Sequence, residues 1–153
     1  MEFVERRQTN IERLACDGNI DELRKILEPN HTQPEIDIAF ENAIAYSQIK
    51  TAEYLLSLGA DISSNNWSGA YYAAHNNELE GLKFAIDNGV DINVNNGMLL
   101  NTAIVTAINT KSTDLIKWLF ANGGEQNLLT EQSLKMVADF GTNELQELIK
   151  NGT

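Results

Sequence analysis

The chain has a single cysteine among its 153 residues, Cys16, so no intrachain disulfide can hold it together. It has two histidines, His31 and His75, far apart in the sequence and far from Cys16. No Cys-x-x-Cys, His-Glu-x-x-His or calcium-loop spacing occurs, and no Gly-x-x-x-x-Gly-Lys phosphate loop. These gaps lead us to expect no cofactor, no metal and no catalytic group. Positive charge is also scarce. There are 11 Lys and Arg against 22 Asp and Glu, a net charge of -11. A nucleic-acid or anionic-membrane binder needs a basic patch to neutralise phosphates, so neither partner is expected. No apolar run approaches the ~20 residues that span a bilayer. The opening residues, MEFVERRQTN, carry charges where a secretory signal needs an apolar stretch. The expected compartment is a reducing cytoplasm, or a host cytosol if the protein is exported.

What is present is a repeat. Apolar pairs recur as Ile26-Leu27, Leu55-Leu56, Ala85-Ile86, Leu119-Phe120 and Leu148-Ile149. Their second members, Leu27, Leu56, Ile86, Phe120 and Ile149, are separated by 29, 30, 34 and 29 residues. Ahead of each lies a small or apolar pair: Leu14-Ala15, Ala43-Ile44, Ala73-Ala74, Ala107-Ile108 and Met136-Val137. A period of this size is the signature of stacked supersecondary units. Within a unit the apolar residues follow helical spacing of three and four, which predicts two short helices. Small residues on the first helix allow close approach, and larger ones on the second fill the space between units. Gly59, Gly89, Gly123 and Gly152 stand where the second helix should end, because glycine accepts the left-handed closing conformation. With 42% hydrophobic residues the array can bury a continuous core.

The links after these glycines resemble the ankyrin repeat, whose second helix ends in Leu-Leu-x-x-Gly-Ala-Asp-x-Asn. Here the segments are Leu55-Leu56-Ser57-Leu58-Gly59-Ala60-Asp61-Ile62-Ser63 and Ala85-Ile86-Asp87-Asn88-Gly89-Val90-Asp91-Ile92-Asn93. The first-helix signature, Thr-Pro-Leu-His-x-Ala-Ala, is matched loosely by Ser68–Ala74 and Thr102–Ile108. The resemblance implies an all-α, ankyrin-like solenoid with short β-turn fingers. Five units are expected in one domain, at about 9–28, 35–63, 64–93, 94–125 and 131–152. The long step places a full finger at Val94–Asn101 and leaves a trimmed one at Ser64–Ser68. No unit keeps the family's histidine, so other side chains must satisfy the backbone groups that it ties. A tetratricopeptide-like array is the alternative fold. It calls for large Trp and Tyr anchors and has no Gly-Ala-Asp turn. The terminal units read as polar caps: the first holds all four arginines, the last Glu131, Lys135, Glu144, Glu147 and Lys150.

The resemblance implies non-catalytic protein binding through the concave face of fingers and first helices. Candidate contact residues are Tyr46, Trp67, Tyr71, Tyr72, His75, Asn76, Met98, Leu99 and Asn109. Aromatic side chains dominate interface energetics, although each of these aromatics could instead pack internally. Met98-Leu99-Leu100 either tucks beneath its finger or docks a partner. From Glu28 to Thr110 the chain carries ten acids and two bases, Lys50 and Lys83, so a basic protein is a candidate partner. An acidic inhibitor or immunity protein, neutralising a basic nuclease or nucleic-acid-binding effector, is an alternative role. An enzyme built on the solenoid is another, but no site supports it. The chain is expected to act as a monomer.

Overall fold

The computed structural model describes residues 2–151. Its helices are α1 (Glu2–Asp17), α2 (Ile20–Leu27), α3 (Gln33–Ala45), α4 (Ile49–Ser57), α5 (Ser64–His75), α6 (Leu79–Asp87), α7 (Val94–Thr110), α8 (Asp114–Ala121), α9 (Glu131–Phe140) and α10 (Asn143–Asn151). A short 3-10 turn, Gln126–Leu128, joins α8 to α9. There is no β-strand among the described residues. Consecutive helices pack as pairs, and the first helices α1, α3, α5, α7 and α9 lie side by side in that order. Helices α2, α4 and α6 form a second row behind them. The expected all-helical solenoid is therefore the observed fold.

The core runs through the array between these rows. On the first helices it is built from small side chains, among them Ala15, Ala43, Ala73, Ala74 and Ala103, all at most 1% exposed. Leu23, Leu27, Leu55, Leu82, Ile116 and Leu119 fill it from the second helices. The apolar pairs do not share their burial equally. Leu55, Ala85 and Leu119 are enclosed, while Leu56, Ile86 and Phe120 lie half-buried at its edge. In the first pair the order reverses, with Leu27 enclosed and Ile26 at the edge.

One residue between the two helices of each of the first four pairs is left-handed: Gly18, Ser47, Asn77 and Lys111. These reproduce the irregular steps of the sequence repeat. The stop glycines also lie there as expected, with φ of 98° at Gly59, 106° at Gly89 and 104° at Gly123. The stop at Gly152 lies outside the described residues. After α2, which has no glycine, His31 Nδ1 lies 2.9 Å from Leu27 O. Arg7 Nη2 donates to Asn30 O at 2.9 Å. Thr32 and Glu35 then form a reciprocal capping box that starts α3, with Pro34 in its first turn.

One expectation about the links is corrected. The segment at Asn65-Asn66-Trp67 is not trimmed relative to Asn95-Asn96-Gly97. Both are turns of three left-handed residues, with φ of 52°, 59° and 59° in one and 52°, 56° and 91° in the other. Asparagine and glycine tolerate this region; Trp67, a bulky residue for which it is unfavourable, is held there while packed against the core. The extra residues of the long step lie in α7, which runs on to Thr110, whereas α5 ends at His75. The structural counterparts of Ala73 and Ala74 are thus Ala103 and Ile104, and Ala107 belongs to the added turn. At the N-terminus α1 begins at Glu2. Arg7 on this extension pairs with Glu35 of α3.

The role of the missing histidine falls to a ladder of unlike side chains. Gln48 Nε2 donates to Cys16 O at 2.9 Å, Asn76 Nδ2 to Ala45 O at 3.1 Å, and Thr106 Oγ1 to Ala74 O at 2.7 Å. Each bond ties the end of one first helix to the next unit. At the opposite edge Asn93 Nδ2 donates to Gly123 O, and its Oδ1 accepts from Glu125 N. Asn101 clamps the following link likewise, through Leu128 O and Thr130 N. Close approach completes the stacking at Gly81, where a Cβ would stand 2.1 Å from Ile44 O.

Candidate protein-binding groove

Along α3 and its C-cap the residues Ile38, Glu41, Asn42, Ala45 and Tyr46 recur at helical spacing. With Glu12 of α1 and Asn65, Tyr72, His75 and Asn76 of α5, they line a groove of about 530 Å³. Its size is within the range of ligand-binding clefts. Tyr46 and Tyr72 are 48% and 47% exposed, although large aromatic rings are mostly buried. Tyr72 meets Tyr71 edge-on with ring centroids 5.0 Å apart. Tyr71 in turn stacks on His75 at 6.0 Å, so the exposed ring is braced from behind. Asn76 contributes its ladder bond to Ala45 O and so fixes the position of α5 against α3.

The electrostatics of the groove are one-sided. No Lys or Arg lines it. Burial pushes the Glu41 carboxyl above the ordinary carboxylate range. The charges acting on it, Asp37 and Glu12, are both negative. Burial also pushes the Cys16 thiol up, and Asp17 and Glu12 add to the shift. Its Sγ donates to Asn42 Oδ1 at 3.2 Å. A thiol held protonated in this way is a poor nucleophile. Among the described residues no three His, Cys, Asp or Glu side chains are placed to hold a metal ion.

Of the nine residues singled out from the sequence, the groove collects Tyr46, Tyr72, His75 and Asn76, with Tyr71 behind them. Trp67 and Met98 are half-buried and packed against the core. Leu99 is fully enclosed, as is Leu100, so a partner cannot touch it on this fold; the pair tucks into the core beneath the left-handed turn. Asn109 is exposed on the last turn of α7, away from the groove, because that turn has no counterpart in α5. Glu12, Ile38, Glu41, Asn42, Ala45 and Asn65 were missed. The signal for four of them, Ile38, Glu41, Asn42 and Ala45, was available in their three-and-four spacing along α3. Glu12 occupies the position equivalent to Glu41 one repeat earlier.

The sequence comparison agrees with this architecture. A family model described as ankyrin repeats, three copies, matches residues 41–130, more than half of the chain. The chain belongs to the ankyrin repeat family. It is similar to an ankyrin repeat protein of Acanthamoeba polyphaga mimivirus, 30% identical over 122 residues. That stretch covers 80% of this chain and 25% of the viral protein, so the chain spans about a quarter of the relative's length. Ankyrin repeats are generally protein–protein interaction modules and typically not enzymes. The matched repeats include Glu41, Tyr46, Tyr72, His75 and Asn76, whereas Glu12 on the first helix precedes them. No helix among the described residues is long and apolar enough to cross a membrane.

Proposed function

We propose that this ankyrin chain is a non-catalytic binding module that docks another protein along the groove on its first-helix face. The observation that carries the reading is the pair Tyr46 and Tyr72, half exposed on neighbouring first helices and lining one cleft. Rigid, partly exposed aromatics supply contact area at small entropic cost and are frequent interface anchors. The module acts as a monomer in the cytoplasm, or in a host cytosol if exported.

The test uses a partner isolated from cells of the source organism and then purified. Replacing Tyr46 and Tyr72 together by Ala should weaken it at least about thirtyfold, the effect of losing an anchor worth ~2 kcal/mol. Glu53→Lys, on the exposed side of α4, should alter mainly the association rate and its salt dependence. Loss of binding in Glu53→Lys, with the tyrosines freely replaceable, would move the interface to the second-helix row.

A second reading makes the chain an acidic inhibitor that occupies the cationic surface of a nuclease or other nucleic-acid-binding effector. Glu41 at the groove, on which the negative charges of Asp37 and Glu12 act, favours it. Under this reading the chain restores activity lost to such an effector, and adding nucleic acid competes with it. Inhibition that persists unchanged in high salt would count against it, because exposed charge attraction is screened within about 8–10 Å.

A further inference from the structure

Resting on the groove as a docking site, we infer that its occupant is a lysine or arginine side chain carried by an extended basic segment of the partner. Tyr46 and Tyr72 form the aromatic walls, and Glu41 and Glu12 supply the counter-charge. Two independent features converge on this chemistry. The first is the character of the lining: two half-exposed phenol rings, Tyr46 and Tyr72, two carboxylates, Glu12 and Glu41, and no Lys or Arg. A long cationic side chain fits such a lining, because its methylene stem lies on apolar rings while its charged head meets carboxylates. The faces of aromatic rings also attract cations directly.

The second feature is the unbalanced charge. Five carboxylates have a base at ion-pair distance: Glu35 with Arg7, Asp17 with Arg13, Glu22 with Lys25, Glu80 with Lys83 and Glu144 with Lys117. Glu41, half-buried at the groove, is faced by Asp37 and Glu12 instead. Gln8 Nε2 donates to Glu12 Oε1 at 3.0 Å, a neutral bond that leaves its charge uncompensated. Grouping like charges around a half-buried carboxylate disfavours the folded chain on its own, and an incoming cation relieves that cost.

The probe is a set of synthetic ten-residue peptides on a Gly-Ser background. One carries three lysines, one has norleucine in their place, and one has glutamate. Each is titrated into the isotope-labelled full chain and followed by amide chemical shifts. The lysine peptide should shift the amides of residues 41–46 and 72–76, with an affinity that falls as salt is raised. Glu41→Gln should weaken it about tenfold, and Tyr72→Leu by a similar factor, as for buried charge and aromatic contacts. Glu53→Gln, on α4, should leave it unchanged. Norleucine binding at the same residues as well as lysine would overturn the cation assignment and leave the docking groove standing. Absence of any shift with the lysine peptide, or equal weakening by Glu53→Gln, would also overturn the assignment. Shifts confined to α4 and α6 would remove the groove reading as well.

Discussion

Thr106 donates its hydroxyl to the carbonyl oxygen of Ala74 across 2.7 Å, in an enclosed position between α7 and α5. Asn76 and Gln48 make the equivalent contacts to Ala45 and Cys16, so three different residue types serve one geometric purpose. What recurs is the carbonyl at the end of a first helix, which needs a donor from the next unit. Thr106→Val keeps the shape and removes the donor. It should cost about 1 kcal/mol, the net worth of a typical internal hydrogen bond. Thermal unfolding measures this, with exposed Glu53→Gln as a control expected to stay within about 0.5 kcal/mol.

Core truncation should separate the two leucines of the second unit. Leu55 is enclosed and Leu56 is half-buried. Leu55→Ala should cost ~2–5 kcal/mol, the range for a buried leucine that leaves a cavity. Leu56→Ala should cost clearly less in the same denaturant titration. Equal losses would mean that the helix is rotated from the orientation described.

Gly59 and Gly81 should fail for different reasons. Gly59 has φ of 98° and open space around its Cβ position. Gly59→Ala should cost about 1–2 kcal/mol, from the left-handed backbone alone, and Gly59→Asn should recover part of it. At Gly81 the obstacle is the backbone oxygen of Ile44, 2.1 Å from a Cβ. Gly81→Ala should cost about 1–3 kcal/mol by overpacking, with no recovery in Gly81→Asn. Melting curves of the four variants decide the matter.

Glu35 and Glu41 should give opposite pH signatures. Burial raises Glu35, but the Arg7 guanidinium and the N–H and hydroxyl of Thr32 outweigh it and hold the carboxyl below its ordinary 4.5. Its contribution to stability is present above that value and is lost as pH falls through the folded-state pKa. Glu41 is raised, chiefly by burial. Its ionisation therefore costs stability, a cost absent below the unfolded-state value and complete above the folded one. At pH 7 Glu35→Gln should lower the melting temperature and Glu41→Gln should raise it. Both differences should shrink toward zero in acid. A Glu41→Gln protein less stable than the wild type at neutral pH would contradict this.

The repeat, the helix pairs and the glycine stops were legible in the sequence because each depends on local periodicity. Apolar residues three and four apart make a buried face, and glycine at a helix end marks a left-handed backbone, wherever the unit sits. The place of the additional turn was not legible. Four extra residues can enter a finger or a helix with the same sequence spacing, and packing of Ala103, Ile104 and Ala107 in α7 decided for the helix. The ladder donors were hidden for a related reason: Gln48, Asn76 and Thr106 share no side-chain type, only a distance to a carbonyl in the preceding unit. The same limit applied to the groove. Tyr46, Tyr72, His75 and Asn76 could be proposed one unit at a time, but Glu12 joined them only when α1, α3 and α5 were laid side by side. Leu99 was removed by that same stacking, since burial belongs to neighbouring helices and not to the residue itself.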